Sequence, residues 1–579
     1  GSEMCIRDRF QREENNFYIM QKNEIIDIEI TDITTEGNGV GRYNGMAVFI
    51  PETAVGDVIE ARIVKVLKNY AYGIVNRIIN PSADRIKPDC PHFPKCGGCS
   101  FRHISYDAEL KIKEKFVYDA FTRIGKIDCE FMPILGCENP DGYRNKAQYP
   151  VSETDDGKII CGFYAKRSHR IIGGSKCRLL PDEFCSIAEY IVNYCFNHGV
   201  SSYSEKTHKG ILRHIYLRKA PATREIMVCL VATKNYNFDE LCGKLTERYS
   251  LIKTVALNIN PDNTNVILGK ETIILKGSGK ITDIMCGNVI SISPETFYQI
   301  NSPQAEKLYR IAEEFAELNG NEKLLDLYCG AGTIGLSMAD KVSRLIGVEI
   351  IPQAVDNARE NAENSGVKNA EFICSDSGKA AEYFAEIDEA PDVIVLDPPR
   401  KGCDKLTLDS VIKMKPQKII MISCNPSTAA RDCSYFSENG FDVKKVKAVD
   451  LFPRTAHVET VVLLSHKKPD SHINVKVEFG EGEGKVPLKE ISERAEAYKQ
   501  KERVTYKMIK EYIEAKYGFK VHTAYIAEVK RDLGLPMYDA PNAVEELKRP
   551  RKYPTAEKVE AIKDALKYFG MIYVGGHDE

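Results

Sequence analysis

Near the start of the chain, apolar and polar positions alternate with period two in four short runs: IIDIEITDI, MAVFIPE, VIEARIVKVL and AYGIVNRII. Glycine-rich turns such as GNGVGR separate them. This alternation predicts half-buried strands, and short strands with tight turns predict a small all-β barrel over residues 22–80. Residues 80–104 are rich in Pro and Cys and read as loop, and 105–125 carry a helical period. The span 81–295 mixes strands with a helix near 182–197, an α+β pattern. From 296 to 466 the runs LLDLYCG, RLIGVEI, AEFICSD, DVIVLDPP and KIIMISC alternate with helical stretches, and FDVKKVKAVD and ETVVLLS follow. Near-continuous apolar strands between helices predict a sheet covered on both faces. A Gly- and charge-rich loop, KKPDSHINVKVEFGEGEG, then precedes a small helical extension over 485–579, where ERVTYKMIKEYIEAKYG and HTAYIAEVKRDLGLP read as helices. The predicted fold is multidomain α/β, with barrel, α+β central domain, sheet-and-helix domain and helical extension in that order.

Composition changes this picture only locally. A length of 579 residues fits about four domains at roughly 150 residues each. No apolar run approaches the ~18 residues of a membrane span, and no secretion signal is present, so a cytoplasmic location without a membrane partner is expected. The stretch EMCIRDR looks like translated sequencing adapter. Residues 1–19 are therefore expected to be a non-native or disordered leader, with Met20 the native start. The net charge of −3 is unusual for a protein that meets RNA. Basic residues nevertheless gather in 61–116 and again between Arg144 and Arg178, and local positive fields attract phosphate whatever the total. With 18 cysteines and no secretion signal, metal or catalytic thiols are expected rather than disulfides.

The run LLDLYCGAGTIGLSMA places Gly330, Gly332 and Gly335 between a strand and a helix, where the backbone can approach a ligand closely. A glycine loop alone also fits a dinucleotide. Three carboxylates narrow the choice. Asp326 ends the first strand, Glu349 ends the second where it can accept ribose hydroxyls, and Asp376 follows the third. That series is the arrangement of S-adenosylmethionine in a Rossmann-like methyltransferase domain. The fourth strand ends in DPPRKG, with Arg400 after Asp397 and the prolines, which argues against an exocyclic amine as target. The fifth ends in ISCNPSTAARD and places Cys424 at the same mouth. Carbon 5 of uracil is a poor nucleophile unless a thiolate first adds to carbon 6. That step calls for a thiol of lowered pKa and afterwards for a base. Cys424 is the predicted nucleophile and Glu459, in RTAHVETVVLL, the predicted base, with His457 ranked behind it. For an arbitrary cysteine a buried structural role would be the better reading; its place after DPPR is what favours catalysis.

Cys90, Cys96 and Cys99 in CPHFPKCGGCS form a C-x5-C-x2-C loop that suits zinc or an iron–sulfur cluster. Cys177 is the first candidate for a fourth ligand, with Cys137, Cys161 and Cys185 behind it. His92 and His103 read as bystanders.

The segment GNGVGRYNGMAVFIPETAVGD resembles a TRAM domain, an RNA-binding barrel. DLYCGAGTIGL, DPPRKG, ISCNPSTAARD, HVETVVLL and FYQIN resemble the RNA uracil-5 methyltransferase family, over about residues 22–466. The iron–sulfur 23S rRNA enzymes are the branch most similar. The resemblance implies Cys424 as nucleophile and Glu459 as base. It places Gln299, Tyr328, Glu349, Asp376 and Asp397 around cofactor and uracil, and Thr333 at a variable position of the cofactor loop. How Gln299 and Asp397 divide between cofactor and base stays open. It further implies a [4Fe–4S] cluster on Cys90, Cys96, Cys99 and Cys177, an RNA substrate, and a chain that acts as a monomer. Methylation of the tRNA T-loop, cytosine-5 methylation and a non-catalytic RNA-binding protein on the same scaffold are the competing readings. The extension could be a helix-turn-helix-like binder or a helical cap.

Overall fold

The computed structural model describes residues 20–174, 176–387, 390–467, 506–533 and 554–569. The predicted leader and the loop after residue 467 lie outside the described residues. The chain divides into two units, Gly1–Ser471 and His472–Glu579.

In the first unit, β1 (Ile25–Ile33), β2 (Asn38–Tyr43), β3 (Met46–Pro51), β4 (Val58–Val66) and β5 (Tyr70–Asn80) close into a barrel in the order β1-β2-β3-β5-β4. The period-two pattern does this directly: Ile26, Ile28 and Ile30 point inward while Asp27 and Glu29 face water. Closure needs glycine at one point. A Cβ on Gly41 would lie 2.6 Å from the Glu29 carbonyl oxygen.

Helix α1 (Tyr106–Asp119) follows, its N-terminus capped by the Ser105 side chain, which accepts from the Ala108 amide. Strand β6 (Glu130–Leu135) comes next. The central sheet holds β7 (Lys146–Glu153), β8 (Ile159–Tyr164), β9 (Ile171–Gly173), β10 (Leu212–Lys219), β11 (Ile226–Ala232), β12 (Ile252–Ile259) and β13 (Glu271–Lys276) in the order β13-β12-β11-β10-β7-β8-β9. Helices α2 (Asp182–Asn197) and α3 (Asp239–Arg248) share one apolar core with it. The α2 bounds coincide with the predicted 182–197.

The third layer begins with the hairpin β14 (Ile281–Met285) and β15 (Asn288–Ile292), then α4 (Ser302–Ala316), β16 (Lys323–Leu327), α5 (Thr333–Ser337), β17 (Arg344–Glu349), α6 (Pro352–Asn364), β18 (Ala370–Cys374) and α7 (Ser377–Glu386). It continues through β19 (Val393–Leu396), α8 (Lys405–Met414), β20 (Lys418–Ser423), α9 (Pro426–Glu438), β21 (Phe441–Val449) and β22 (Glu459–His466). The sheet order is β18-β17-β16-β19-β20-β22-β21-β6. The first five strands run parallel and β22 lies antiparallel to both neighbours. All seven strands read from the apolar runs are present, with one apolar core on each face. The sheet reaches outside 296–466 by taking β6 as its edge beside β21. Weakly patterned EFMPIL gave no sign of that partner, which lies some three hundred residues further along the chain.

The second unit contains α10 (Tyr506–Tyr517), α11 (Thr523–Asp532) and α12 (Ala556–Tyr568) around Ile509, Ile513, Ile526, Val529 and Ile562. The two read helices are there, and the third completes their core. No helix among the described residues is long and apolar enough to cross a membrane.

Candidate active site

The glycine loop begins at the C-terminal end of β16. Tyr328, Gly330 and Gly332 all take positive φ (67°, 56° and 77°), which turns the chain sharply into α5. A Cβ on Gly332 would come within 2.9 Å of the Phe372 ring, whereas one on Gly330 would meet nothing within 4 Å. The loop is thus closed below by packing and open above Gly330. Glu349, at the end of β17, accepts from the Gly330 amide at 3.1 Å and from the Ile351 amide at 2.9 Å. Asp326 is buried and accepts from the Gly335 amide at 2.9 Å through Oδ2, while its Oδ1 has no partner. Burial, with the Asp397 and Glu349 charges adding, pushes its carboxyl up to about 8. Asp376 caps α7 by accepting from the Lys379 amide at 3.2 Å. The Tyr328 hydroxyl points to Thr407, 3.2 Å away.

Thr333 opens α5 and lies 3.2 Å from the hydroxyl of Tyr309. Tyr309 also bonds Gln299 and feels the Asp397 charge. Sequence reasoning missed Tyr309. It falls on the buried face of α4, where a core aromatic is the ordinary reading, and only the fold brings its hydroxyl between Gln299 and the cofactor loop.

Cys424 leaves β20 directly, and the next residue, Asn425, caps α9. The Asn425 side chain donates to the Arg400 carbonyl at 3.0 Å, and Thr428 donates to the same oxygen. Two strand ends, DPPR and CNPST, are thereby tied together. Arg400 and His457 are 3.5 Å apart. Glu459, the first residue of β22, is 6% exposed. Burial, with Asp397 adding repulsion and Arg400 opposing it, raises its carboxyl to about 8. Burial raises Asp397 to about 7. Cys424, Glu459, Asp397 and Arg400 are therefore one electrostatic group. The expected depression of the Cys424 pKa is not found. Burial and the charges of Glu459 and Asp397 push the thiol up to about 11, and Arg400 alone opposes them.

A second cluster lies on the central-domain side. Cys90, Cys96, Cys99 and Cys177 line one cavity of about 240 Å³, together with Arg144 and Lys146. All four are free thiols. Cys137, Cys161 and Cys185 are not part of that lining: Cys161 is packed into the central core, Cys137 meets Asn301, and Cys185 lines a neighbouring groove. Among the described residues no three His, Cys, Asp or Glu side chains converge on a single-ion site. His103 bonds the Thr53 carbonyl and stacks on Phe93, away from the thiols.

A parallel sheet with a glycine loop and strand-end carboxylates defines a Rossmann-like, S-adenosylmethionine-dependent methyltransferase. The comparisons with known proteins agree. Residues 290–467 match the family described as tRNA (uracil-5-)-methyltransferase, and residues 20–75 match the TRAM domain. An RNA methyltransferase of Clostridium tetani is 42% identical over 450 residues, 77% of this chain and 97% of its own. One from Listeria monocytogenes is 42% identical over 451 residues, covering 77% and 98%. The crystal structure of Pyrococcus abyssi tRNA (uracil-54, C5)-methyltransferase with S-adenosyl-L-homocysteine superposes with a TM-score of 0.61 at 26% identity, covering 76% of this chain and 99% of that one. The chain belongs to the S-adenosylmethionine-dependent RNA uracil-5 methyltransferase family and carries its TRAM barrel at the N-terminus.

Proposed function

We propose that this chain methylates carbon 5 of a uracil in large-subunit (23S) rRNA through a transient bond between Cys424 Sγ and carbon 6. The observation that carries the reading is the meeting of Cys424, Glu459, Asp397 and Arg400 at the strand ends beside the glycine loop. Glu349 and the open backbone above Gly330 would hold S-adenosylmethionine, Asp376 would face its adenine end, and Ile350, 59% exposed, offers apolar surface beside it. Bound there, the cofactor supplies an electrophilic methyl group. Gln299, Tyr328 and Asp397 would line the shared pocket of cofactor and uracil, with Thr333 in the cofactor loop. The Cys424 thiol gives its proton to the neighbouring Asp397 carboxylate as its sulfur adds to carbon 6, and the electron pair of the 5,6 double bond makes carbon 5 nucleophilic. After carbon 5 is methylated, Glu459 takes its proton, the double bond re-forms and the sulfur–carbon bond breaks. Arg400 steadies the thiolate. His457, with its pKa lowered by partial burial of its ring and by Arg400, ranks behind Glu459 as base.

RNA containing 5-fluorouridine tests this, because fluorine cannot leave as a proton does. A covalent complex should survive denaturing electrophoresis with the native chain and vanish with Cys424→Ala. A complex formed equally by both would refute the nucleophile. Glu459→Gln should instead accumulate adduct on ordinary RNA.

Cys90, Cys96, Cys99 and Cys177 are proposed to hold a [4Fe–4S] cluster. Four thiolates on one zinc at about 2.3 Å sit roughly 3.8 Å apart. The four thiols line one cavity of about 240 Å³, and Arg144 and Lys146 there would offset the charge of a bound cluster. Methyl transfer consumes no electrons, so the cluster anchors the loop and takes no part in the chemistry. Anaerobic purification should give a brown protein that Cys96→Ala bleaches; a colourless protein with one equivalent of zinc would refute the cluster.

The tRNA T-loop is the second reading, favoured by the Pyrococcus neighbour, a tRNA (uracil-54, C5)-methyltransferase. Loss of 5-methyluridine from rRNA but not tRNA after gene deletion would support the first, and the reverse would support the second.

A further inference from the structure

The barrel carries an aromatic face that its own core does not use. Phe49 on β3 and Tyr72 on β5 are register partners, as are Ala47 and Tyr70, so Phe49, Tyr70 and Tyr72 project from the same outer face. Their ring centroids lie 5.4 Å (Phe49–Tyr70), 5.8 Å (Phe49–Tyr72) and 5.7 Å (Tyr70–Tyr72) apart. None of the three belongs to an apolar core cluster among the described residues, while the alternate positions Val48, Ile50 and Ala71 fill the barrel. Neither tyrosine hydroxyl has a hydrogen-bond partner among the described residues.

Cations frame this face. Lys65 is the register partner of Tyr72 and Arg62 that of Ile74, and Lys68 stands in the hairpin that leads into Tyr70. All three are exposed, and none is in an ion pair among the described residues. The carboxylate on these strands, Glu60, lies at the other end of the pairing and is already held by Arg77 and Asn76. Three clustered rings with unpaired cations, and no free carboxylate on β3, β4 or β5, match a strand of unpaired nucleotides: bases stack on the rings and phosphates meet the lysines and arginine. A protein partner would have no use for three uncompensated cations unless it were acidic. A duplex hides its base faces.

We propose that Phe49, Tyr70 and Tyr72 form a stacking platform for unpaired bases of the substrate RNA, with Arg62, Lys65 and Lys68 on its phosphates. This deepens the RNA methylation reading and rests on it. The platform acts through base faces, so it would sort substrates by single-strandedness rather than by sequence.

The chain contains no tryptophan, so Tyr70→Trp in the full-length protein gives one reporter on the platform. Single-stranded oligoadenylate or oligouridylate should quench its emission saturably, with an affinity that falls as salt rises. A blunt RNA duplex of equal length should not quench it. Tyr72→Ala should weaken single-strand binding at least about five-fold, and Tyr72→Phe should restore it. Three results would overturn the proposal. One is equal quenching by duplex. Another is oligonucleotide binding, seen by anisotropy of a labelled strand, with no change in emission. The third is a blue-shifted emission that RNA never alters, which means the chain's own segments cover the face. Thermal melting of each variant separates lost binding from lost folding. Because the readout needs no methyl transfer, failure of the covalent mechanism would leave it intact, and the two failures remain distinguishable.

Discussion

At the residue scale the site holds more carboxylate than its chemistry needs in charged form. Glu459 is pushed up to about 8 and Asp397 to about 7, so near neutral pH protons are held between them. In the proposed mechanism, proton removal from carbon 5 needs Glu459 ionised. Product release should therefore rise with pH through about 8, read as decay of pre-formed adduct in single-turnover experiments. Asp397→Asn removes a like charge from Glu459 and should shift that rise to lower pH. The same shift bears on stability. A carboxyl raised above its unfolded value contributes stability that is full below about pH 4.5 and is lost as pH climbs through 8. Glu459→Gln should therefore melt above the native protein at pH 9, by at most about 5 kcal/mol, and match it at pH 5. Equal melting at both values would refute the raised pKa. The placement of Cys424, Glu459 and the carboxylate series at strand ends was legible because strand-end motifs carry them. The direction of the Cys424 shift was not, because it depends first on how far the fold buries the thiol and then on Glu459 and Asp397 converging from other strands.

At the element scale, α1 shows where periodicity misleads. Glu109 and Lys113 have the i,i+4 spacing of a solvated surface pair, yet both are fully buried. Lys113 donates to Glu109 and to Asp450 at 2.7 Å each and to the Phe452 carbonyl at 3.1 Å. The Tyr106 hydroxyl donates to Asp450 at 2.7 Å. Glu109 also accepts the Arg454 amide at 2.7 Å, and the Arg454 carbonyl accepts the amides of Ser100 and Phe101 beside Cys99. This network grips the loop that leads into Glu459 and ties it to the cysteine segment. No sequence pattern reports a partner 337 residues away. Lys113→Met leaves two buried carboxylates facing each other and should cost about 3–5 kcal/mol in urea titration. Lys113→Met with Glu109→Leu should recover part of that. A single variant within about 1 kcal/mol of the native protein would show that the network does not hold the loop.

At the scale of the whole molecule, the parallel sheet and the barrel were readable because each follows one periodicity from end to end. The central segment was read only as α+β, because its strands pair out of chain order and β6 leaves it altogether. The C-terminal unit is the remaining question. Its three described helices bury their own apolar residues, Ile513, Ile526 and Ile562 among them, so it has a core of its own. The first unit likewise encloses five apolar clusters built from its own described residues. The Clostridium and Listeria relatives align over 97% and 98% of their lengths with only 77% of this chain, and the methyltransferase family match ends at residue 467, before the extension. A chain ended at Ser471 should therefore fold cooperatively, trap 5-fluorouridine RNA and turn over a short RNA within about two-fold of the full chain. If the extension instead grips RNA, truncation should raise KM on full-length RNA and leave kcat on the short one unchanged. A truncated chain that folds yet forms no adduct would place part of the active site beyond residue 471 and refute the boundary.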